Sequence, residues 1–226
     1  MPLSRTLLID ADDTLWENNI YFERVSAAFL DELATRGIPR PRVEELLWRT
    51  EQRNVKITGY GSKAFCASLH EVARTFGAAD LEPWIAGKEQ WISQYPIEFM
   101  PGVRETLPLL HANHHTILVT KGRADEQTGK LDRSGLGGFF HAIEIVFEKN
   151  DDTYRDIVKK HGLDPAATWM IGNSPRSDIN PAKAAGLGTV FIPYHTTWQH
   201  ELEEISSDGP ETIVLENFGE LTLHFA

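Results

Sequence analysis

An apolar segment near the start of the chain ends in a group of carboxylates. Residues 7–9 are apolar and are followed by Asp10, Asp12 and Asp13. Such runs form buried strands, and side chains alternate along a strand, so we predict that Asp10 and Asp12 point the same way at its carboxyl end. Carboxylates this close repel one another unless a cation or a ligand offsets their charge. Because open α/β sheets bind ligands at this end, the segment predicts a functional site, with a solvated acidic turn as the alternative.

The second half of the chain alternates between two kinds of pattern. From Pro101 onward, amphipathic segments separate short apolar segments rich in β-branched residues. This alternation predicts a parallel sheet covered by helices. The predicted strands lie at residues 115–120, 143–147, 168–172 and 189–192, with a candidate last strand at 212–215.

Residues 17–98 have a different pattern, with helical periodicity and little strand character. Their aromatic residues, among them Trp48, Trp84 and Trp91, are interpreted as core. Four helices joined by short turns can bury a small core of their own. The predicted helices lie at about residues 20–33, 41–53, 62–76 and 81–92.

The loop between the second and third of these helices is the part of the insertion best suited to contact a ligand. Residues 54–63 contain glycines, a tyrosine and two lysines that interrupt the helical pattern. Lys56, Tyr60 and Lys63 are therefore candidate substrate-binding residues. A solvated helix connection is the alternative interpretation.

The length and charge of the chain limit its class. The 226 residues suit one domain with an insertion, predicted as a core of residues 1–15 and 100–226 around an inserted domain of residues 16–99. The net charge is −11 and the basic residues are scattered, which argues against nucleic acid but leaves a small phosphate ester open. No apolar run reaches the roughly 18 residues of a membrane span, and the start of the chain lacks a signal-peptide pattern. We therefore expect a cytoplasmic protein that does not bind membranes.

Two groups of reactive residue types are interpreted as structural. Cys66, the only cysteine, lies in a helical context flanked by alanine, which is typical of a small core residue. His111, His114 and His115 flank a predicted turn at the opposite end of the strand from the carboxylates. Because no further ligands lie nearby in sequence, a solvated turn is favoured over a metal site.

Four segments, in order along the chain, resemble the motifs of the haloacid dehalogenase superfamily. Together they cover nearly the whole predicted α/β part, and the insertion lies where many members carry a helical cap. The resemblance implies a doubly wound, Rossmann-like parallel sheet with an inserted α-helical cap domain. The four segments are Asp10-x-Asp12-x-Thr14, the strand that ends at Thr120, Lys149, and the acidic loop 173–178.

The resemblance also implies an activity, the hydrolysis of a small phosphate monoester through an aspartyl phosphate. Asp10 would be the nucleophile, and Asp12 would protonate the leaving oxygen and then activate water. Thr120 and Lys149 would position the phosphoryl group. Lys121 and Gly122, which follow Thr120, are further candidate substrate contacts.

Mg²⁺ is the cofactor that the resemblance implies. It would be held by the Asp10 carboxylate, the backbone carbonyl of Asp12 and Asp178. Asn173 stands where the family often has another Asp, and its amide oxygen can accept a hydrogen bond from a metal-bound water.

Other activities stay open at this point. Asp12 favours phosphate chemistry over the attack on carbon by haloacid dehalogenases, which do not need this residue. A phosphomutase would use the same motifs, and a phosphonate hydrolase would add a cap lysine, for which Lys56 and Lys63 are weak candidates. A non-catalytic phosphate-binding module is the alternative of another class. The expected partner is a small phosphorylated substrate, and the protein is expected to be a monomer or a homodimer.

Overall fold

A computed structural model of the protein describes residues 5–196, 201 and 203–225. The chain divides into two compact units. One, which we call the sheet unit, comprises Met1–Asn19 and Ile97–Ala226. The other, the helical unit, comprises Ile20–Pro96. Among the described residues, no helix combines the length and the apolar character needed to cross a membrane.

Four long helices account for most of residues 19–96. Their buried apolar residues include Phe29, Leu33, Leu69 and Ile85. The interpretation of the tryptophans as core is wrong for Trp48 and Trp91, which are 40% and 41% exposed because each presents part of its ring to solvent. The helices are α1 (Asn19–Thr35), α2 (Arg40–Thr58), α3 (Ser62–Thr75) and α4 (Glu82–Gln94).

Helix α2 is longer than the sequence pattern predicts. It continues five residues past the predicted end at residue 53, so the connection to α3 consists of residues 59–61 alone. Gly59 and Gly61 interrupt the helix there because both adopt positive φ angles, 76° and 114°. Lys56 consequently lies in the last turn of α2 and Lys63 in the first turn of α3.

The sheet unit contains six parallel strands, which confirms the predicted α/β fold with a doubly wound parallel sheet. The strand order is β3-β2-β1-β4-β5-β6. The strands are β1 (Thr6–Ile9), β2 (His115–Lys121), β3 (Ala142–Val146), β4 (Thr168–Gly172), β5 (Gly188–Phe191) and β6 (Thr212–Val214). The helices of this unit are α5 (Val103–Asn113), α6 (Ala124–Ser134), α7 (Asp151–His161), α8 (Asn180–Ala184) and α9 (Thr222–Phe225).

Successive side chains of β1 point to opposite faces of the sheet, and the apolar ones are buried on both faces. Leu7 and Ile9 belong to one apolar cluster, which includes residues of α5, α6 and α9. Leu8 belongs to the other cluster, which includes Tyr154 and Ile157 of α7. Leu7, Leu8 and Ile9 are therefore fully buried, as the continuous apolar run predicts.

The strand order changes direction beside β1. The chain extends from β1 through β2 to β3 on one side and from β4 to β6 on the other, so the order reverses at β1 and β4. Ile9 pairs with Leu118 of β2 and with Ile171 of β4. The residues that follow these three strands therefore meet at one edge of the sheet, where open α/β folds bind ligands.

Candidate active site

Lys149 links two buried carboxylates at this edge. Its ammonium donates to Asp178 Oδ1 at 2.7 Å and also contacts Asp10 Oδ1. All three side chains are buried. Burial raises the pKa of Asp10 to about 7, against the attraction of Lys149 and with the repulsion of Asp178. Burial alone would lower the pKa of Lys149, but the two carboxylates together raise it above its usual range.

Asp178 is held in place by the turn after β4. The backbone N–H of Ser174 donates to its Oδ2 at 3.0 Å. A Cβ added at Gly172 would overlap the Asp178 carboxyl group, so glycine at the end of β4 makes room for this side chain. The carboxylate therefore reaches the edge of the sheet beside Asp10.

Thr14 connects Asp10 to Asn173. Its hydroxyl lies 3.0 Å from Asp10 Oδ2 and 3.2 Å from Asn173 Oδ1. A hydroxyl has one proton, so these two oxygens share it. Thr14 had no predicted role beyond its place in the first motif. The structure places its hydroxyl between the predicted nucleophile and the predicted outer metal contact.

Asp12 is surrounded by donors that were not predicted from the sequence. Lys130 Nζ lies 2.6 Å and 2.5 Å from its two carboxylate oxygens. Trp16 Nε1 donates to Oδ1 at 2.8 Å, and Gln127 Nε2 donates to Oδ2 at 3.0 Å. Burial opposes ionisation of Asp12, but Lys130, Gln127 and Trp16 outweigh it and hold the pKa of this carboxyl below its usual range. The one local signal is that Gln127 and Lys130 are three residues apart on α6, and hence on one helix face.

Asp13 has a separate role from the two other carboxylates of its segment. Its Oδ1 accepts from the backbone N–H groups of Asn18 and Asn19 at 2.8 Å and 3.0 Å. Asp13 therefore caps the start of α1, and its φ of 63° is one that Asp tolerates better than most residues. Burial raises the pKa of Asp13 to about 8.

Lys121 is part of a polar cluster next to the Asp178 turn. Its ammonium donates to Ser177 Oγ at 2.7 Å and forms an ion pair with Glu201. Glu201 also accepts from the hydroxyls of Ser174 and Ser177. Burial opposes ionisation of Glu201, but Lys121 and the two serines hold its pKa below the usual range. The charge of Lys121 is thus balanced within the protein, and its predicted contact with substrate stays a prediction.

The other predicted substrate-binding residues lie in different places. Thr120 is buried on β2, one residue before its end. Gly122 has a φ of 135°, and its N–H donates to Val146 O at 3.0 Å. In the helical unit, Lys56 and Lys63 are exposed and Tyr60 is half-buried.

The structure modifies one of the two structural interpretations made above. Cys66 is buried, as predicted. The solvated turn is wrong for His114, which is 4% exposed and whose Nε2 lies 2.6 Å from the carbonyl oxygen of Phe225. Helix α9 covers this histidine. Phe225 of α9 is 111 positions from His114 in sequence, so the residues around His114 gave no signal of this contact.

The residues at the edge of the sheet fit a hard divalent cation. Asp10 and Asp178 bring two negative charges against one from Lys149, while Asp12 is balanced by Lys130. Burial is the main cause of the raised pKa of Asp10, and repulsion by Asp178 adds to it, so a cation bound here would favour the charged form of Asp10. No group of three or more acidic, histidine or cysteine side chains is arranged as a metal cage in the described part of the chain. An ion here would therefore depend on two carboxylates together with neutral oxygens, as is usual for Mg²⁺.

The chain resembles known proteins over most of its length. The family model described as haloacid dehalogenase-like hydrolase matches residues 5–186. A glyceraldehyde 3-phosphate phosphatase from Methanothermobacter thermautotrophicus is 22% identical over 96% of this chain and 97% of its own length. A protein of the same name from Pyrococcus furiosus is 24% identical over 88% of this chain and 85% of its own.

Solved structures share the fold along almost the whole chain. A haloacid dehalogenase-like family hydrolase from Xanthomonas campestris is 27% identical, with a TM-score of 0.84 and coverage of 97% of this chain and 93% of its own. The HAD-hydrolase YfnB from Bacillus subtilis, in a structure described as bound to magnesium, has a TM-score of 0.68 at 19% identity, with coverage of 98% of both chains.

Proposed function

The chain belongs to the haloacid dehalogenase-like hydrolases, and we propose that it is a Mg²⁺-dependent phosphatase that hydrolyses a small phosphate monoester through a phosphorylated Asp10. The observation that carries this proposal is the arrangement of Asp10, Lys149 and Asp178 at the edge of the sheet. Two relatives named as phosphatases support it.

Asp10 is suited to attack a phosphorus atom. It directly follows the buried apolar residues of β1, and its backbone N–H donates to Ile171 O at 2.9 Å, so its position is fixed by the sheet. Thr14 and Lys149 hold its two carboxylate oxygens. A covalent aspartyl phosphate would divide a difficult displacement into two easier steps.

Lys149 and Thr120 are placed to bind the phosphoryl group. The ammonium of Lys149 lies between two carboxylates and remains charged, so it can stabilise negative charge that develops on the transferring oxygens. Thr120 would donate its hydroxyl from β2. Asp10, the Asp12 backbone carbonyl and Asp178 would hold Mg²⁺, with Asn173 as an outer contact, and the bound ion would shield the negative charge of the approaching phosphate.

Asp12 would transfer protons in both steps. Lys130 and its other donors favour the carboxylate form, which is the form that accepts a proton from water. Protonation of the leaving oxygen would require Asp12 to gain a proton first. We therefore expect good leaving groups to react faster than poor ones.

Phosphate release from a panel of esters tests this proposal. The panel includes 4-nitrophenyl phosphate and, because of the names of the relatives, glyceraldehyde 3-phosphate. We expect turnover with Mg²⁺ and loss of turnover with EDTA. Halide release from 2-chloropropanoate without phosphatase activity would instead indicate a dehalogenase. Binding of phosphate esters without turnover would indicate the non-catalytic module, and isomerisation in place of phosphate release would indicate a mutase.

A further inference from the structure

The side-chain amide of Gln127 donates hydrogen bonds through its nitrogen, whereas its oxygen accepts none within the described residues. Its Nε2 donates to Asp12 Oδ2 and to the backbone oxygen of Lys121, both at 3.0 Å. Within the described residues, its Oε1 is buried and has no hydrogen-bond partner. The side chain as a whole is only 7% exposed. A buried carbonyl oxygen without a partner costs free energy, so an unfilled acceptor here requires an explanation.

The orientation of this amide is determined by its neighbours. Asp12 Oδ2 and Lys121 O are both acceptors, so the nitrogen of Gln127 must face them and the oxygen must face away. The nitrogen and the oxygen share one carbon atom. A ligand that donates to Oε1 is therefore separated from the Asp12 carboxylate by the width of this amide group.

The chemistry of the two groups identifies this ligand. A molecule that bridges Oε1 of Gln127 and the carboxylate of Asp12 meets an acceptor on each side, so it must bring two donors. A water molecule has two O–H groups, whereas a substrate hydroxyl has one. Lys130 and Trp16 also donate to the Asp12 carboxylate and so help to hold it in place. Of these two ligands, water is the one that can donate to both acceptors.

We propose that Gln127 is a further catalytic residue, which holds the water that hydrolyses the aspartyl phosphate. The water oxygen forms a bond to phosphorus, and the bond between phosphorus and the Asp10 oxygen breaks, with its electron pair returning to the carboxylate. One proton of the water passes to Asp12. The other remains on the attacking oxygen, hydrogen-bonded to Gln127 Oε1. This inference rests on the proposed function, because it concerns the second step of that reaction.

Replacement of Gln127 separates the two chemical steps. Gln127→Met keeps a side chain of similar length but removes both the acceptor and the donor. With 4-nitrophenyl phosphate and Mg²⁺, we expect release of the first equivalent of 4-nitrophenol at nearly the wild-type rate and a steady-state rate about 10-fold lower or more. Acid-quenched enzyme from ³²P-labelled substrate should carry correspondingly more label. Thr128→Ala, an exposed neighbour on α6, is the matched control and should behave like the wild type.

Each outcome decides between alternatives. A normal first turnover also shows that the variant is folded. If Gln127→Met does not fold, Gln127→Glu, of the same shape, replaces it, and its repulsion by Asp12 should also increase the labelled fraction. An unchanged steady-state rate, or equal slowing of both steps in either variant, would overturn the role of Gln127. If the wild type neither turns over nor becomes labelled with any ester, the proposed function fails and this inference with it.

Discussion

Lys149 Nζ lies 2.7 Å from Asp178 Oδ1, although 29 positions separate the two residues in sequence. The contact joins the loop after β3 to the turn after β4, and the same ammonium contacts Asp10 after β1. Because one lysine faces two buried carboxylates, the group carries a net negative charge. This imbalance underlies both the proposed affinity for a cation and the prediction for Asp178 and Asn173.

Asp10→Asn should abolish phosphatase activity, by about 10³-fold or more, because an amide is a poor nucleophile. The fold should persist, since Lys149 keeps its contact with Asp178. Acid-quenched samples from labelled substrate should carry phosphate in the wild type and none in the variant. Asp132→Asn, at an exposed position, is the control. Full activity in Asp10→Asn would refute the mechanism.

Substitutions at Asp178 and Asn173 should change metal affinity in opposite directions. Asp178→Asn removes one of two carboxylates and should weaken Mg²⁺ binding about 10-fold or more, whereas Asn173→Asp adds a carboxylate near Thr14 and should strengthen it while activity remains. Calorimetric titration with Mg²⁺ and the dependence of rate on Mg²⁺ both measure this. If Asp178→Asn needs no more metal than the wild type, Asp178 is not the ligand.

Glu201→Gln should destabilise the protein because it leaves the largely buried Lys121 without its main counter-charge. The side chains are 16% and 12% exposed, and Glu148 remains 3.6 Å from Lys121, so we expect a loss of about 1–3 kcal/mol in the free energy of unfolding. Lys121→Met combined with Glu201→Gln should lose less than the sum of the single changes. Urea denaturation of the four proteins measures this coupling, and strict additivity would contradict it.

Glu51 should make stability depend on pH. Burial raises its pKa in the folded protein to about 7 from an ordinary value of 4.5. The folded state therefore holds the proton more tightly than the unfolded state, and stability falls as the pH rises from about 4.5 to 7. Glu51→Gln removes this loss, so it should raise the free energy of unfolding by about 1–3 kcal/mol at pH 8 and change it little at pH 4. An equal effect at both pH values would contradict this origin.

Alanine substitution of Lys56, Tyr60 and Lys63 should change the ranking of natural phosphate esters by KM. We propose that these residues of the helical unit contribute to specificity, since the four motifs supply only phosphate recognition. The kcat for 4-nitrophenyl phosphate should change little. Lys159→Ala, which removes an exposed lysine from α7, controls for the loss of charge. An unchanged ranking in the triple variant would place specificity elsewhere.

The sequence alone determined the architecture and the positions of the four motifs. The parallel sheet, its strands and its family were predicted correctly because strand and helix patterns are local and the motif residues lie at or shortly after the ends of strands. Predicted helix boundaries were less accurate where the helix-breaking residues were misjudged. The end of α2 depends on the φ angles of Gly59 and Gly61, whereas the pattern placed the end at residue 53.

Only the tertiary structure decided which side chains surround these motif residues. Asp12 lies 115 and 118 positions from Gln127 and Lys130, and Lys121 lies 80 positions from Glu201. No local pattern reports such pairs, because they depend on strand order, on register and on which helix faces are buried. The parallel sheet aligns the carboxyl ends of β1, β2, β3 and β4, and the segments that follow β2 and β3 then supply the compensating charges of Lys130 and Lys149.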